Sequence, residues 1–330
     1  MNKKHITRRD FIKVTSATTA ALALGGEVLA GVEKNKNPYD AKGLPTRQFG
    51  KTGVTIPMLA IGTGSRFCSM DNEDDALEML TYALDHGFYY WDTANQYVYN
   101  GVSSEERLGK ILKTRRKEVF VSTKIEDREP DDVKRAIEVS LKRLQTDHVD
   151  ELKVHSVKDM DDLKVIAQKG GIYDILREMK EQGVTRFIGF SGHNSSEAMA
   201  RAATDLEFDT MLIALNHWSK KGDRFEQDAV PAAAAKNMGV MVMKVVRPRE
   251  KVKTVAVPDL INYALSLEKA SGAVVGMDGM TVLKQNIELV RNFKPLSPQR
   301  MEELRMSLAP FNNSKELEWM QPGYRDGAWS

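Results

Sequence analysis

The chain is poor in cysteine, in aromatic residues and in long apolar runs. There is one cysteine, Cys68, in 330 residues. A lone thiol excludes an internal disulfide and any all-cysteine metal site, so neither a metal nor an iron–sulfur cluster is expected. The six histidines show no metal-ligand spacing: His148 and His155 are seven apart on a strand-like run, and His193 and His217 fall on different loops. Nothing approaches the ~20 apolar residues of a stable membrane span. A large charge of one sign is also missing. The formal net charge is +2, and the first thirty residues hold five cations against two anions, leaving −1 for the remainder. A near-neutral body offers no electrostatic handle for nucleic acid or an acidic membrane. Finally, no G-x-G-x-x-G follows a strand. Gly62-Thr63-Gly64 runs into Ser65-Arg66-Phe67, which argues against an open doubly wound dinucleotide fold.

What is present begins at the N-terminus. Thr7-Arg8-Arg9-Asp10-Phe11-Ile12-Lys13 resembles the twin-arginine (Tat) export motif. A weakly apolar stretch follows from Val14 to Gly26, and Val28-Leu29-Ala30 offers small-residue cleavage chemistry before Gly31. Residues 1–30 therefore read as a signal peptide, 31–45 as a polar linker, and 46–330 as one domain with a tail from about 295. The expected partner is the Tat export machinery, and the expected location periplasmic or exported.

From Thr55 onward short β-rich runs alternate with amphipathic helical runs. The strands predicted are Leu59–Gly62, Phe88–Asp92, Val119–Lys124, Val149–His155, Arg186–Ser191, Met211–Asn216, Val240–Val245 and Ala273–Gly276. Between them, Ala76, Leu77, Leu80, Ala83 and Leu84 show the spacing of a helix face. Gly87, Gly183 and Gly239 read as helix ends. This alternation predicts a (β/α)8 TIM barrel, preceded by a short hairpin and followed by a helical tail at Pro298–Leu308.

Chemistry-bearing residues collect at three successive strand ends. Asp92 opens Asp92-Thr93-Ala94-Asn95-Gln96-Tyr97, Lys124 ends the next strand, and His155 the one after. A phenol is a poor acid, with a pKa of about 10. A nearby ammonium lowers it, a carboxylate fixes that ammonium, and an imidazole orients a carbonyl. The set suits protonation of a carbonyl oxygen while hydride attacks its carbon.

The order of these four residues resembles the aldo-keto reductase family. The likeness extends from Arg47-Gln48-Phe49-Gly50-Lys51-Thr52-Gly53-Val54 through Leu59-Ala60-Ile61-Gly62-Thr63-Gly64 and Gly183 to Ser191, reaching about residue 293. It implies a nicotinamide-dependent oxidoreductase acting on a small carbonyl or alcohol, with Tyr97 as proton donor, Lys124 tuning it, Asp92 holding Lys124 and His155 orienting the substrate. The family grips the carboxamide with a Ser-Asn pair and a Gln. Here Ser191 is kept, Gly192 replaces the Asn, Ala214 stands at the Gln position with Asn216 nearby, and Val245 or Val246 replaces the stacking aromatic.

Lys244, Arg247, Arg249, Lys251 and Lys253 follow strand seven as candidates for pyrophosphate. After strand eight, Gly276 and Asp278 stand where relatives place a phosphate clamp. Lys284 is a compensating cation, and Gln285 and Asn286 are adenine contacts. The family habit tilts the cofactor to NADP(H), with NAD(H) open. Trp218 and Tyr99 are candidate substrate walls, with Trp319 and Trp329 in the tail; Trp91 should pack away from the site. Two further readings remain open at this stage. One is a cofactor-binding barrel that senses redox state or binds ligand with little turnover. The other is an exported enzyme whose nucleotide stays bound.

Overall fold

The computed structural model describes residues 37–215, 224–246 and 255–308, together with Trp319, Tyr324 and Asp326. The export segment, Asn216, His217, Trp218, Arg247, Arg249, Lys251, Lys253 and Trp329 lie outside the described residues.

A hairpin of β1 (Thr46–Gln48) and β2 (Thr55–Pro57) comes first. The barrel strands are β3 (Leu59–Gly62), β4 (Tyr90–Asp92), β7 (Phe120–Ile125), β8 (Val149–Val154), β9 (Thr185–Gly192), β10 (Thr210–Ala214), β11 (Gly239–Met243) and β12 (Gly272–Gly276). A second small hairpin, β5 (Val98–Tyr99) with β6 (Val102–Ser103), follows β4. All eight barrel strands pair in parallel, and β12 pairs with β3 to close the ring.

Side chains alternate along each strand. Tyr90 and Asp92 thus share the interior face with Phe120, Ser122 and Lys124 and with Glu151 and Lys153. Register places Asp92 beside Ser122, Ser122 beside Glu151, Lys124 beside Lys153, and Lys153 beside Gly189. Parallel barrel strands normally read as apolar runs. β7 and β8 depart from this, because Ser122, Lys124, Glu151 and Lys153 are buried within them. Trp91 points the other way, fully buried, its indole N–H donating to the Phe88 carbonyl at 2.8 Å.

The hairpin plugs the barrel floor. Phe49, fully buried, meets Tyr90 and Phe120 edge-on with ring centroids 5.8 and 6.0 Å apart. Burying such a ring contributes roughly 2 kcal/mol. Gly239 is bare because a Cβ there would collide with Phe49. This corrects the expectation that Gly239 ends a helix: Ala229–Ala235 ends through Asn237 in the left-handed region (φ 51°), while Gly87 (φ 94°) and Gly183 (φ 74°) behave as expected.

Helix Glu73–Asp85 starts at Asn72, whose side chain accepts from the Asp74 and Asp75 amides, and buries Ala76, Met79, Leu80, Ala83 and Leu84. Leu77, expected on that face, is only partly buried at its edge. Helix Met160–Ala167, absent from the sequence reading, is capped by the Asp159 side chain accepting from the Asp161 and Asp162 amides. Residues 37–45, read as linker, lie against the barrel: Tyr39 stacks on Tyr89 at 5.0 Å and Leu44 is buried. The tail helix Pro298–Leu308 buries Met301, Leu304 and Leu308. Among the described residues no helix is long and apolar enough to cross a membrane.

Candidate active site

The site sits at the C-terminal ends of β3, β4, β7, β8 and β11. The loop leaving β4 is held by a hydroxyl relay. Thr93 and Ser104 bond at 2.8 Å, Ser104 donates to the Thr63 hydroxyl at 2.7 Å, and Thr63 donates to the Asp92 carbonyl at 3.0 Å. Asn95 adds four ties: its amide donates to the Lys124 carbonyl at 3.0 Å, its side chain donates to the Ala136 carbonyl at 3.1 Å and to the Ser140 hydroxyl at 3.0 Å, and its carbonyl accepts from Arg143 at 2.9 Å. These ties explain the residue types at Thr93 and Asn95. Tyr97 is thereby turned back into the barrel, its ring lying on Gly64, where a Cβ would approach Tyr97 Cε2 to 3.3 Å.

Three of the four expected residues converge on one ammonium. Lys124, fully buried, donates to Asp92 Oδ2 at 2.6 Å, to the Thr93 carbonyl at 2.7 Å and to the Tyr97 hydroxyl at 3.3 Å. Burial lowers the Lys124 pKa, Asp92 opposes that, and the neighbouring Lys153 adds to the lowering. Burial also pushes Asp92 up, but the Lys124 and Lys153 ammoniums outweigh it and hold the carboxyl below its usual value. The Tyr97 phenol departs from expectation. Burial first, then the Asp326 and Asp92 carboxylates, hold it well above an ordinary phenol. The ammonium at 3.3 Å does not overcome two negative neighbours and the loss of water.

His155 meets Tyr97 edge-on, with ring centroids 5.7 Å apart. Its Nδ1 faces the Gln96 amide nitrogen, which donates to it, leaving Nε2 as the donor. Burial keeps its pKa below the ordinary value, so the ring is neutral near pH 7. Arg128 clamps the turn beyond it, donating to the His155 and Ser156 carbonyls at 2.8 and 3.3 Å while paired to Asp162 at 2.8 Å. Ser156 is left-handed (φ 57°), and this clamp holds it there. The unexpected helix Met160–Ala167 carries Asp162 and so helps place His155.

One acid from the tail reaches this centre. Asp326 Oδ2 accepts from His155 Nε2 at 3.1 Å and from His193 Nε2 at 3.0 Å, while Oδ1 accepts from Lys244. Lys244 also donates to the Tyr324 hydroxyl at 2.7 Å, with its own backbone left-handed (φ 63°). Burial would raise the Asp326 pKa, but Lys244, His193 and His155 together hold it well below the carboxylate range. The carboxylate thus occupies the Nε2 donor of His155.

A cavity of ≈ 450 Å³ opens beside this cluster, touching Asp92, Tyr97, Lys244, Asp326, Val245, Val246 and Gly276. Of the expected cofactor contacts, Lys244 and Gly276 line it, but Lys244 is turned to Asp326 rather than outward. Asp278 pairs with Arg66 at 3.1 Å across the rim. Ser191 is spent internally, accepting from the Ser156 amide at 3.2 Å and donating to the Val154 carbonyl at 3.4 Å. A Cβ on Gly192 would collide with Met199 and the Val157 carbonyl, so packing explains this glycine. Lys284 lies 5.2 Å from the Tyr82 ring centroid on the neighbouring helix, and Asn286 is buried. Tyr99, half-buried on the β5–β6 hairpin, packs against Cys68, Ala94 and Tyr97. Burial pushes the Cys68 thiol up to about 11, so it is no nucleophile at neutral pH.

Sequence reasoning missed Glu151, Lys153, His193, Gln96 and Asp326. For Glu151 and Lys153 a signal existed: two charges at i and i+2 inside a run predicted as a buried strand. For Asp326, which lies 171 positions from His155, no local pattern points to the site.

The profile of the Aldo/keto reductase family matches residues 58–248, and that of the twin-arginine translocation pathway signal sequence matches residues 5–25. The N-terminal segment is therefore a Tat signal sequence, which directs export. The aldo-keto reductase yakc (NADP(+)) of Schizosaccharomyces pombe is 27% identical over 214 residues, covering 60% of each chain. L-galactose dehydrogenase of Arabidopsis thaliana is 32% identical over 158 residues, 44% of this chain and 48% of that one. The matches thus span about half to three fifths of these two relatives. Among solved structures, an aldo-keto reductase described as putative from Pseudomonas aeruginosa superposes with a TM-score of 0.63 at 27% identity, covering 78% of this chain and 98% of that one. The holo form of an aldo-keto reductase from Bacillus halodurans gives 0.65 at 20% identity over 84% and 99%, a likeness of fold.

Proposed function

The chain belongs to the aldo/keto reductase family, and on that premise we propose that it reduces a small aldehyde or ketone to an alcohol, or runs the reverse, with NAD(P)(H). The observation that carries this reading is the Lys124 ammonium, 2.6 Å from Asp92 and 3.3 Å from the Tyr97 hydroxyl, with His155 edge-on to the same phenol.

The cavity is lined by Gly62, Gly64 and Gly276, with Val245 and Val246 as an apolar wall, beside the Tyr97 phenol. A reduced nicotinamide bound there supplies hydride, and the chain supplies the rest. His155, neutral and protonated at Nε2, donates to the carbonyl oxygen and orients it. Tyr97 delivers its proton to that oxygen as negative charge develops, and Lys124 stabilises the phenolate left behind. Asp92 keeps Lys124 in place. A substrate reaching His155 must displace the Asp326 carboxylate. Its departure removes a negative neighbour from Tyr97 and makes the phenol a better acid at the moment it is needed.

For the nucleotide, NADP(H) is favoured. The yakc enzyme and glycerol 2-dehydrogenase of Saccharomyces cerevisiae both carry NADP(+) in their names. The Arg66 guanidinium on Asp278 moderates the repulsion that this carboxylate exerts on a phosphate. NAD(H) remains the competitor to be titrated. Asn286 is assigned to the adenine end. The partners are a small carbonyl or alcohol and the Tat machinery, which accepts folded cargo.

The test is fluorescence titration of the mature protein with NADPH and NADH, then turnover on an aldehyde panel beside Tyr97→Phe. Nucleotide binding with turnover that the variant loses supports the reading. Binding without turnover of any carbonyl or alcohol rejects it.

A further inference from the structure

The catalytic ammonium has a twin. Lys124 and Lys153 stand side by side in register on β7 and β8, both fully buried. Like charges directly across a sheet are destabilising, and two unpaired buried ammoniums would not persist. The barrel resolves this with two carboxylates. Asp92 spans the pair, its Oδ2 on Lys124 at 2.6 Å and its Oδ1 on Lys153 at 3.2 Å. Glu151 takes the far side of Lys153 at 2.8 Å. The result is a row of alternating charge, Glu151, Lys153, Asp92, Lys124, ending on the Tyr97 hydroxyl.

The row is neutral and its remaining valences are filled. Lys153 also donates to the Ser122 hydroxyl at 2.7 Å and to the Tyr90 hydroxyl at 3.2 Å. Glu151 accepts from Tyr90 at 2.6 Å and from Thr210. Gly189, the neighbour of Lys153 on β9, leaves the space its stem needs: a Cβ there would lie 3.3 Å from Lys153 Cγ and would collide with Thr210. Residues from β4, β7, β8, β9 and β10 thus cooperate to place one ammonium against one oxygen of Asp92. A buried core without chemistry has no use for this, since apolar side chains of similar volume fill such space at no desolvation cost.

We propose that Lys153, anchored by Glu151, is a positioning residue for the proton-transfer step: it holds the second oxygen of Asp92, so that the first stays on Lys124 and Lys124 stays on the Tyr97 phenol. The assignment rests on the reductase reading given above. Lys153 touches no substrate. It acts through Asp92, and through its charge on Lys124, whose facing charged and titratable groups are Asp92, Lys153, Tyr97, Glu105, His155 and, from the tail, Asp326. Because Lys153 carries a second positive charge beside Lys124, its removal makes the ammonium harder to deprotonate and the phenol a weaker acid.

The experiment removes the pair together. Lys153→Met alone strands Glu151 as a buried charge and risks unfolding, so the informative protein is Glu151→Leu with Lys153→Met, which removes both charges and leaves the Tyr90, Ser122 and Thr210 hydroxyls to find new partners. We expect it to fold and to bind NADPH within about twofold of the parent. We expect kcat to fall roughly tenfold, with KM little changed, and the basic limb of the kcat–pH profile to move up by about one pH unit. A double variant with the parental pH profile, whatever its stability, would overturn the proposal and leave the pair a packing device.

A second measurement needs no turnover. The Nζ resonance of Lys124, assigned with Lys124→Met in 15N-lysine-labelled protein, is titrated in both backgrounds. A higher titration midpoint in the double variant supports the assignment, and an unchanged one rejects it. Loss of the reductase reading itself shows separately, as a parent protein without turnover.

Discussion

Two ion clusters share strand β8, one residue apart, and they are built differently. Asp150 faces outward near the barrel floor. It accepts from Arg116 at 2.9 Å, Arg186 at 2.8 Å, the Val121 amide at 2.9 Å and the Tyr39 hydroxyl. Its arginines reach toward solvent, Arg186 being 40% exposed. Glu151 and Lys153 face inward, where Lys124 and Lys153 are at most 1% exposed. The floor uses guanidinium, which keeps its charge at any accessible pH and spreads several fixed donors over one acid. The interior uses ammonium, whose proton affinity responds to burial and neighbours. The floor cluster is a clamp joining Tyr39, the segment before β7, and β9. The interior cluster has what proton movement requires.

The largest expected effect tests the interior. Tyr97→Phe should lower kcat by roughly 10²–10⁴-fold while nucleotide affinity stays put, measured by steady-state kinetics and fluorescence titration. Asp150→Ala should do the opposite. It takes the carboxylate from Arg116, leaves the Val121 amide without its acceptor and costs about 2–4 kcal/mol in urea unfolding, with kcat of the folded fraction retained. A large kcat loss in folded Asp150→Ala protein would erase the distinction between the clusters.

Acid should then weaken the site end first. His155 is buried neutral with its pKa held below 6.5. A depressed imidazole stabilises the fold above its unfolded pKa, and that contribution is lost as pH falls through the folded value. Asp92 is also depressed, by Lys124 and Lys153 acting against burial, so its contribution lasts to lower pH still, below the ordinary carboxylate range. The urea midpoint should drop between about pH 7 and about pH 5, and His155→Gln should flatten that drop. An equal drop in parent and variant would place the acid-sensitive group elsewhere.

A smaller effect is expected at the tail. If Asp326 competes with substrate for His155, Asp326→Asn should lower KM for a neutral aldehyde by about threefold to tenfold, because the internal competitor binds less well as an amide. A raised KM would mean that Asp326 belongs to the substrate-bound site. The smallest effect is the control. Lys164→Ala breaks the exposed pair with Asp161 and should move neither the urea midpoint nor kcat.

The barrel was legible because its pattern is local. Strand-like and helical runs alternate with the right periods, and Asp92, Lys124 and His155 all fall at strand exits, where such barrels place reactive groups. Helix Met160–Ala167 escaped because it is short and its cap, Asp159, sits in a run of acids that reads as a loop. Gly239 was misread because its reason is the ring of Phe49, distant in the chain. The cofactor contacts were the weakest part. Ser191 keeps the motif's serine and Gly192 stands in place of its asparagine, and their surroundings are the Ser156 amide, Met199 and the Val157 carbonyl.

By itself, then, the sequence determined the barrel, the export signal and which four residues, Asp92, Tyr97, Lys124 and His155, meet at the strand exits. Each is written in periodicity or in a contiguous motif, and both follow from short-range stereochemistry. Tertiary structure alone decided how those residues are charged and held. The second lysine on Asp92, the neutral tautomer of His155 set by Gln96, the raised Tyr97 phenol and the Asp326 carboxylate on three donors all depend on burial and on distances between groups far apart in the chain. A proton's affinity is a property of that surrounding field, and the field exists only once the strands have closed.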